Sequence, residues 1–338
     1  MRSWKSVRFA VMTLLCCLHS MPVWGEDDDD ISVESLIKKV RASEAVYENL
    51  DVTVRFDWKA GPGAPVAARW ASDRLQAVKR AEQSTIRYVA QSGMYRVESS
   101  GKIVSSVLGE EETTITSSRV SAFDGDITRT IRDHGALESH EGYRSDSLII
   151  RPHMLLLRQW HYYLPLSVLL SGHEVLQTSP FSRWSPETTV RYRYRGKQSV
   201  DDLQCHYIVM TLLSEGEPAR WIHLWLAEDR NCIPVLTRSY FSRPPVKDFL
   251  IEARVKKWME IAPKIWFPKE TVRVSYSPAL LERGFKRGIK SVQQTERYRV
   301  EKISLKPEYK KEFFRKVVAP DHPGTALLRS TAKRIMPE

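Results

Sequence analysis

Between Asp51 and Lys59 the chain alternates without a break: Val52, Val54, Phe56 and Trp58 are apolar, while Asp51, Thr53, Arg55, Asp57 and Lys59 are polar. A period of two puts each set on its own face of a strand, one toward a core and one toward water. The segment just before it has a different period. Val33, Leu36, Ile37, Val40 and Tyr47 recur near helical spacing, with Lys38, Lys39, Arg41, Glu44 and Glu48 between them, which makes an amphipathic helix with one apolar stripe. Ser32 stands at its N-cap position and Glu34 in its first turn, both favourable there. A helix thus hands its stripe to a half-buried strand, and such a strand belongs to a sheet that something must cover.

Most of the remaining chain repeats the strand pattern. Ile86 and Tyr88 alternate with Arg87, a turn follows at Ser92-Gly93, and Tyr95 and Val97 alternate with Arg96 and Glu98. Segments 113–123 and 127–132 flank Asp124-Gly125, a strong hairpin signal. Val190, Tyr192 and Tyr194 alternate with Arg191, Arg193 and Arg195, and further strands run through 203–213, 221–226, 233–240, 249–258, 265–276 and 292–303. Short connections make successive strands neighbours, so one continuous antiparallel sheet is expected. The exception is 149–172, where Met154, Leu155, Leu156, Leu157, Trp160, Leu164 and Leu166 crowd together. Pro165 splits this stretch into two short helices, apolar on most sides and therefore buried against the sheet. A last short helix is expected within 308–318, close after Pro307.

The first 25 residues read as an export signal, with Arg2, Lys5 and Arg8 before an apolar run from Phe9 to Leu18 and a small-residue cleavage site ending at Gly25. A ten-residue run is short of the roughly 20 needed to span a bilayer. Cys16 and Cys17 lack the small preceding residue of a bacterial lipoprotein signal. The expected organisation is a signal at 1–25, an acidic leader at 26–30, one sheet-and-helix domain over 31–318, and a basic tail at 319–338. Removing Arg2, Lys5 and Arg8 from the 52 basic residues leaves an excess of eight over the 41 acidic ones. That balance favours anionic partners, and export to a periplasmic or extracellular compartment argues against nucleic acid. Cys205 and Cys232 remain as a candidate disulfide. They open strands two places apart, about 9.6 Å at normal spacing, against the roughly 7 Å such a bond spans. A displaced strand end is needed to form it, and two buried thiols are the alternative.

Chemistry finds little anchorage. Asp124-Gly125-Asp126-Ile127-Thr128 matches the D-x-D-x-T pattern of aspartate-nucleophile phosphotransferases, but its flanks alternate like a hairpin, and Asp-Gly forms such turns without any chemistry. His140-Glu141 and His173-Glu174 lack the second histidine of a zincin helix, and the other histidines lie apart in sequence. There is no G-x-S-x-G, glycine-rich phosphate loop or Cys-x-x-Cys. No catalytic residue, metal or cofactor is expected.

The order of elements carries a resemblance. An N-terminal helix, the strand from Asp51 to Lys59, Phe123-Asp124-Gly125 before another strand and an apolar helical interruption come first. Gln204-Cys205-His206-Tyr207, Leu224-Trp225-Leu226, Ile233-Pro234-Val235 and Trp266-Phe267-Pro268 follow. Together they resemble the outer-membrane lipoprotein-sorting (LolA/LolB-like) superfamily, and especially its large exported bacterial relatives. The resemblance implies an α+β fold: a half-open, strongly curved antiparallel sheet, an incomplete barrel, with N-terminal and mid-chain helices in its concave face. It also implies an apolar cavity that takes lipoprotein acyl chains in the carriers. The expected function is a monomeric, non-enzymatic binding protein holding a lipid or acyl chain, with a lipoprotein or another envelope protein as further partner. The alternative is an envelope interaction or signal-sensing module without lipid cargo. Cavity candidates are Leu36, Val40, Tyr47, Val54, Phe56, Leu157, Trp160, Leu164 and Tyr192.

Overall fold

The computed structural model describes residues 33–61, 78–106, 113–133, 135–142, 150–157, 164–171, 188–214, 217–240, 249–276 and 292–318. The expected export signal, acidic leader, Ser32 cap, Trp160 and basic tail lie outside these residues. Along the chain come α1 (Val33–Ala45), β1 (Leu50–Ala60), β2 (Val78–Gln91), β3 (Met94–Ser106), β4 (Thr113–Phe123), β5 (Ile127–Arg132) and β6 (Glu138–Glu141). The short helices α2 (Met154–Leu157) and α3 (Leu166–Leu169) interrupt the strands. Then follow β7 (Thr188–Val200), β8 (Leu203–Ser214), β9 (Glu217–Ala227), β10 (Ile233–Tyr240), β11 (Ile251–Ala262), β12 (Ile265–Tyr276), β13 (Val292–Ser304) and α4 (Lys311–Arg315).

The 13 strands form one antiparallel sheet in the order β6-β5-β4-β3-β2-β1-β13-β12-β11-β10-β9-β8-β7. Successive strands pair except β6 and β7, which stand at opposite ends, and one long-range pairing, β1 with β13, joins the two meanders. The sheet is open, with β6 and β7 at its ends. The turns Ser92-Gly93 and Asp201-Asp202 have positive φ at both residues, as type I′ hairpins require. At Asp124-Gly125 the Asp124 carboxylate accepts the backbone N–H groups of Asp126 at 3.1 Å and Ile127 at 2.9 Å, a side chain holding its own turn.

The register shows that α1, α2 and α3 lie on one face. Val54 pairs with Val300 and Phe56 with Tyr298; Tyr298 pairs with Thr271, and Arg273 lies two residues on. The row continues from Arg273 to Ala253, to Thr237, to Leu224, to Ile208 and to Tyr194. Directly opposed residues share a face, so this inner face runs across both meanders. Met154, Leu155 and Leu156 of α2 pack with Val54, Phe56, Phe267 and Tyr298. Leu36 and Val40 of α1 pack with Leu166 and Leu169 of α3 over Val190, Ile208 and Leu224.

Two features depart from simple patterning. On β12 the polar residues Thr271, Arg273 and Ser275 are buried, while Val272 and Val274 on its other face are only half-buried. Their burial is partly compensated: Thr271 donates to the Leu155 carbonyl at 3.2 Å, and Arg273 pairs with Glu296 at 3.0 Å. The candidate disulfide is not formed. Cys205 packs on the outer face with Trp225 and Leu236, whereas Cys232 packs on the inner face with Leu36 and Leu224. Both thiols are free and buried, on opposite sides of the sheet, and desolvation pushes each up to about 11.

Candidate functional site

A partly open cleft of about 450 Å³ lies where the C-terminal end of α1, the β2–β3 hairpin and the segments around α2 and α3 meet. Helix α1 contributes Arg41, Glu44 and Ala45, the turn after it Tyr47 and Glu48, and the β2–β3 hairpin Tyr88, Ala90, Gly93, Met94 and Tyr95. Arg151 and Pro152 come from before α2, and Pro165, Ser167 and Val168 from α3 and its cap. The volume falls within the roughly 300–1,000 Å³ usual for small-ligand sites. A smaller cavity of about 20 Å³ lies beside it, against Val40, Tyr47, His153 and Cys232.

The walls are fixed by contacts behind them. Tyr47 is buried, its hydroxyl donating to the Trp266 carbonyl and its ring edge-on to Phe267 at 5.8 Å. Asn231, whose positive φ suits asparagine, accepts the Trp266 N–H at 2.7 Å and donates to the Lys264 carbonyl at 3.2 Å. These bonds tie the β9–β10 and β11–β12 turns to the end of α1. Tyr88 and Tyr95 are almost wholly buried, and desolvation raises the Tyr88 phenol to about 12, so it stays neutral.

Glu44 crosses from α1 to hold α3. Its carboxylate accepts the backbone N–H of Leu166, the N–H of Ser167 at 3.2 Å and the Ser167 hydroxyl at 2.6 Å. A four-residue helix cannot sustain itself, and its first N–H groups lack intrahelical partners. An anion at that end satisfies both needs. Behind it, His153 bonds the Leu164 carbonyl through Nε2 at 3.1 Å, with Nδ1 3.9 Å from Glu44. Desolvation lowers the His153 pKa to about 4; the imidazole is therefore neutral near pH 7, and Nε2 is the donor.

With Glu44 committed to α3, the charges left in the lining are Arg41, Arg151 and Glu48. Neither guanidinium group takes part in any of the hydrogen bonds or ion pairs among the described residues. The cleft therefore offers aromatic and aliphatic walls beside two uncommitted cations, an arrangement suited to an apolar body with an anionic end. Glu44 is bonded three ways to α3, burial keeps the Tyr88 phenol protonated, and Glu48 is the carboxylate left in the lining.

The sequence-derived candidates divide. Tyr47 lines the cleft. Leu36 and Val40 on α1 and Leu164 just before α3 are core residues, and Val54 and Phe56 are core residues of β1 packed against α2. Leu157 and Tyr192 are half-buried at the edge of the α1–α3 cluster, and Trp160 lies outside the described residues. Arg41, Tyr88, Met94, Tyr95, Arg151 and Val168 escaped the sequence reading. Arg41 sits on the wet side of the helical pattern, where nothing separates a cleft wall from a solvated face. The D-x-D-x-T residues serve three separate purposes. Asp124 holds a turn and pairs with Arg129 at 2.8 Å, Asp126 reaches Lys311 at 3.9 Å, and Thr128 donates to the Gly142 carbonyl at 2.7 Å. Among the described residues no cluster of three metal-ligating side chains occurs, and no helix is long and apolar enough to cross a membrane.

No protein-family model and no curated protein matches this sequence. Solved structures do match over most of the chain. A DUF1329 family protein from Desulfovibrio piger aligns at 9% identity and a TM-score of 0.38, covering 83% of this chain and 96% of that one. A LolA superfamily protein from Nitrosomonas europaea aligns at 11% and 0.37, covering 85% and 98%. An outer membrane lipoprotein-sorting protein domain from Vibrio parahaemolyticus aligns at 8% and 0.35, covering 84% and 97%. Likenesses this distant carry no argument about family, ligand or activity.

Proposed function

We propose that this protein is a non-enzymatic binder of a lipid or acyl chain, exported as one sheet-and-helix domain over residues 31–318 behind a signal at 1–25 and acting as a monomer in the periplasm or outside the cell. In this reading the sheet curls around its helices as an incomplete barrel, and the cleft between α1, α3 and the β2–β3 hairpin is the mouth that admits the ligand. The observation that carries the reading is the combination of tyrosine and methionine walls with two arginines whose guanidinium groups form no ion pair among the described residues. Burying an acyl chain against those walls contributes about 25 cal/mol per Å² of apolar surface, and Arg41 and Arg151 would hold an anionic headgroup at the rim.

A dansyl-labelled fatty acid titrated into the purified full chain tests this. Saturable, single-site binding is expected. Ala45 is exposed on α1 and borders the cleft, so Ala45→Trp should fill the opening without disturbing the core and weaken binding at least about tenfold. Arg41→Gln with Arg151→Gln should weaken the carboxylate probe while leaving an uncharged acyl ester unaffected. Binding by Ala45→Trp equal to that of the unaltered chain would overturn the assignment of the cleft.

A further inference from the structure

The outer face of the sheet is not uniform. On the β1–β4 side its charges are paired: Arg87 meets Asp51 at 2.9 Å, Arg96 meets Glu98 at 2.7 Å, and Arg299 meets Asp57 at 3.0 Å. At the other end stands β7, the last strand in the sheet order. Arg191, Arg193 and Arg195 are all exposed there. They alternate with Val190, Tyr192 and Tyr194, which belong to the inner cluster, so the three guanidinium groups share the outer face, with α-carbons about 7 Å apart. None of the three guanidinium groups takes part in any of the hydrogen bonds or ion pairs among the described residues.

The rows leading away from them carry no acid until β11. Arg191 lies beside Thr211 and then Trp221; Arg193 lies beside Val209 and then His223. The third row places Arg195 near Tyr207 and Trp225, which stack at 4.7 Å. Trp221 and Tyr207 are half-exposed. The first carboxylate along these rows, Glu252, is already held by Arg238 at 2.8 Å, and Asp201 at the β7–β8 turn is held by Arg254 at 2.6 Å. Cations in a line at a free edge, backed by a tryptophan and a tyrosine with apolar bodies and polar tips, match the level of a membrane where headgroups meet acyl chains. Charged side chains on an edge strand also discourage the addition of another strand, so contact through the side-chain face is favoured over backbone pairing.

We infer that the outer face at β7 is a docking surface for an anionic lipid membrane, gripped by Arg191, Arg193 and Arg195 with Trp221 and Tyr207 at the headgroup level. The surface uses none of the cleft residues, so it stands or falls apart from the ligand-binding reading. Each arginine near an anionic surface contributes about fivefold in affinity, about a hundredfold for the three together.

Flotation of the purified full chain with vesicles of phosphatidylcholine alone, or mixed with phosphatidylglycerol, isolates the charge-dependent increment in binding. That increment should fall about a hundredfold in R191Q/R193Q/R195Q, survive in R191K/R193K/R195K, and weaken with added salt. K256Q/K302Q/K306Q removes the same charge from exposed positions elsewhere on the chain and should leave most of it intact. Equal losses in the two Gln triples would show net charge at work and overturn the inference. So would the absence of any phosphatidylglycerol-dependent binding by the unaltered chain, or retention only by an acidic protein surface.

Discussion

His153 shows how one buried side chain sets a pH limit on this fold. Its imidazole is 3% exposed, faces Glu44 and Arg151, and titrates at about 4 because burial penalises the cation. In the unfolded chain it takes up a proton near the ordinary 6.5. Between those values the unfolded state binds more protons than the folded one, so stability is complete at pH 7 and falls as the pH drops through this window. His223, also lowered to about 4 by desolvation, acts in the same direction. Each should remove about 2 kcal/mol between pH 7 and pH 5. His153→Gln keeps a donor for the Leu164 carbonyl but cannot titrate. Urea unfolding at the two pH values should show a smaller acid loss in this variant than in the unaltered chain. An unchanged difference would mean that His153 is protonated in the folded state.

Among the elements, α3 depends most on others for its existence. It is four residues long, begins at Pro165, has no side-chain cap of its own and draws its cap from Glu44 on α1. Glu44→Ala should therefore cost about 1–2 kcal/mol, read as a lower urea midpoint at unchanged slope, and Glu44→Gln should cost less. No change would separate α3 from α1 energetically. The same contact shows where sequence reading stops. The alternation of β1, the Asp124-Gly125 turn and the start of α3 just after Pro165 depend on neighbours within a few residues, and all are legible. Glu44 reaching a helix more than a hundred residues away is not, because its spacing on α1 is that of a solvated face. The inverted β12 was hidden for a similar reason. Thr271, Arg273 and Ser275 face inward because Leu155 and Glu296 are there to receive the first two, which only the tertiary fold reveals.

On the scale of the whole molecule, the described helices pack on the inner face of the 13-stranded sheet at two separate centres. Helix α2 is used up beneath the centre, where Phe56, Phe267 and Tyr298 surround it, and α1 with α3 covers the β7–β10 side. The gap between these two packing centres is the cleft. The general location, between the two helical segments, could be anticipated from their competition for one face; the individual walls could not, since most sequence candidates became core. Native mass spectrometry of the purified chain, followed by lipid extraction, asks most directly whether that gap holds a ligand. A co-purifying acyl-bearing species bound one to one, and lost in Ala45→Trp, is the expected result. A chain that is consistently empty when isolated from its own membrane environment, or that keeps the species in Ala45→Trp, would contradict the account.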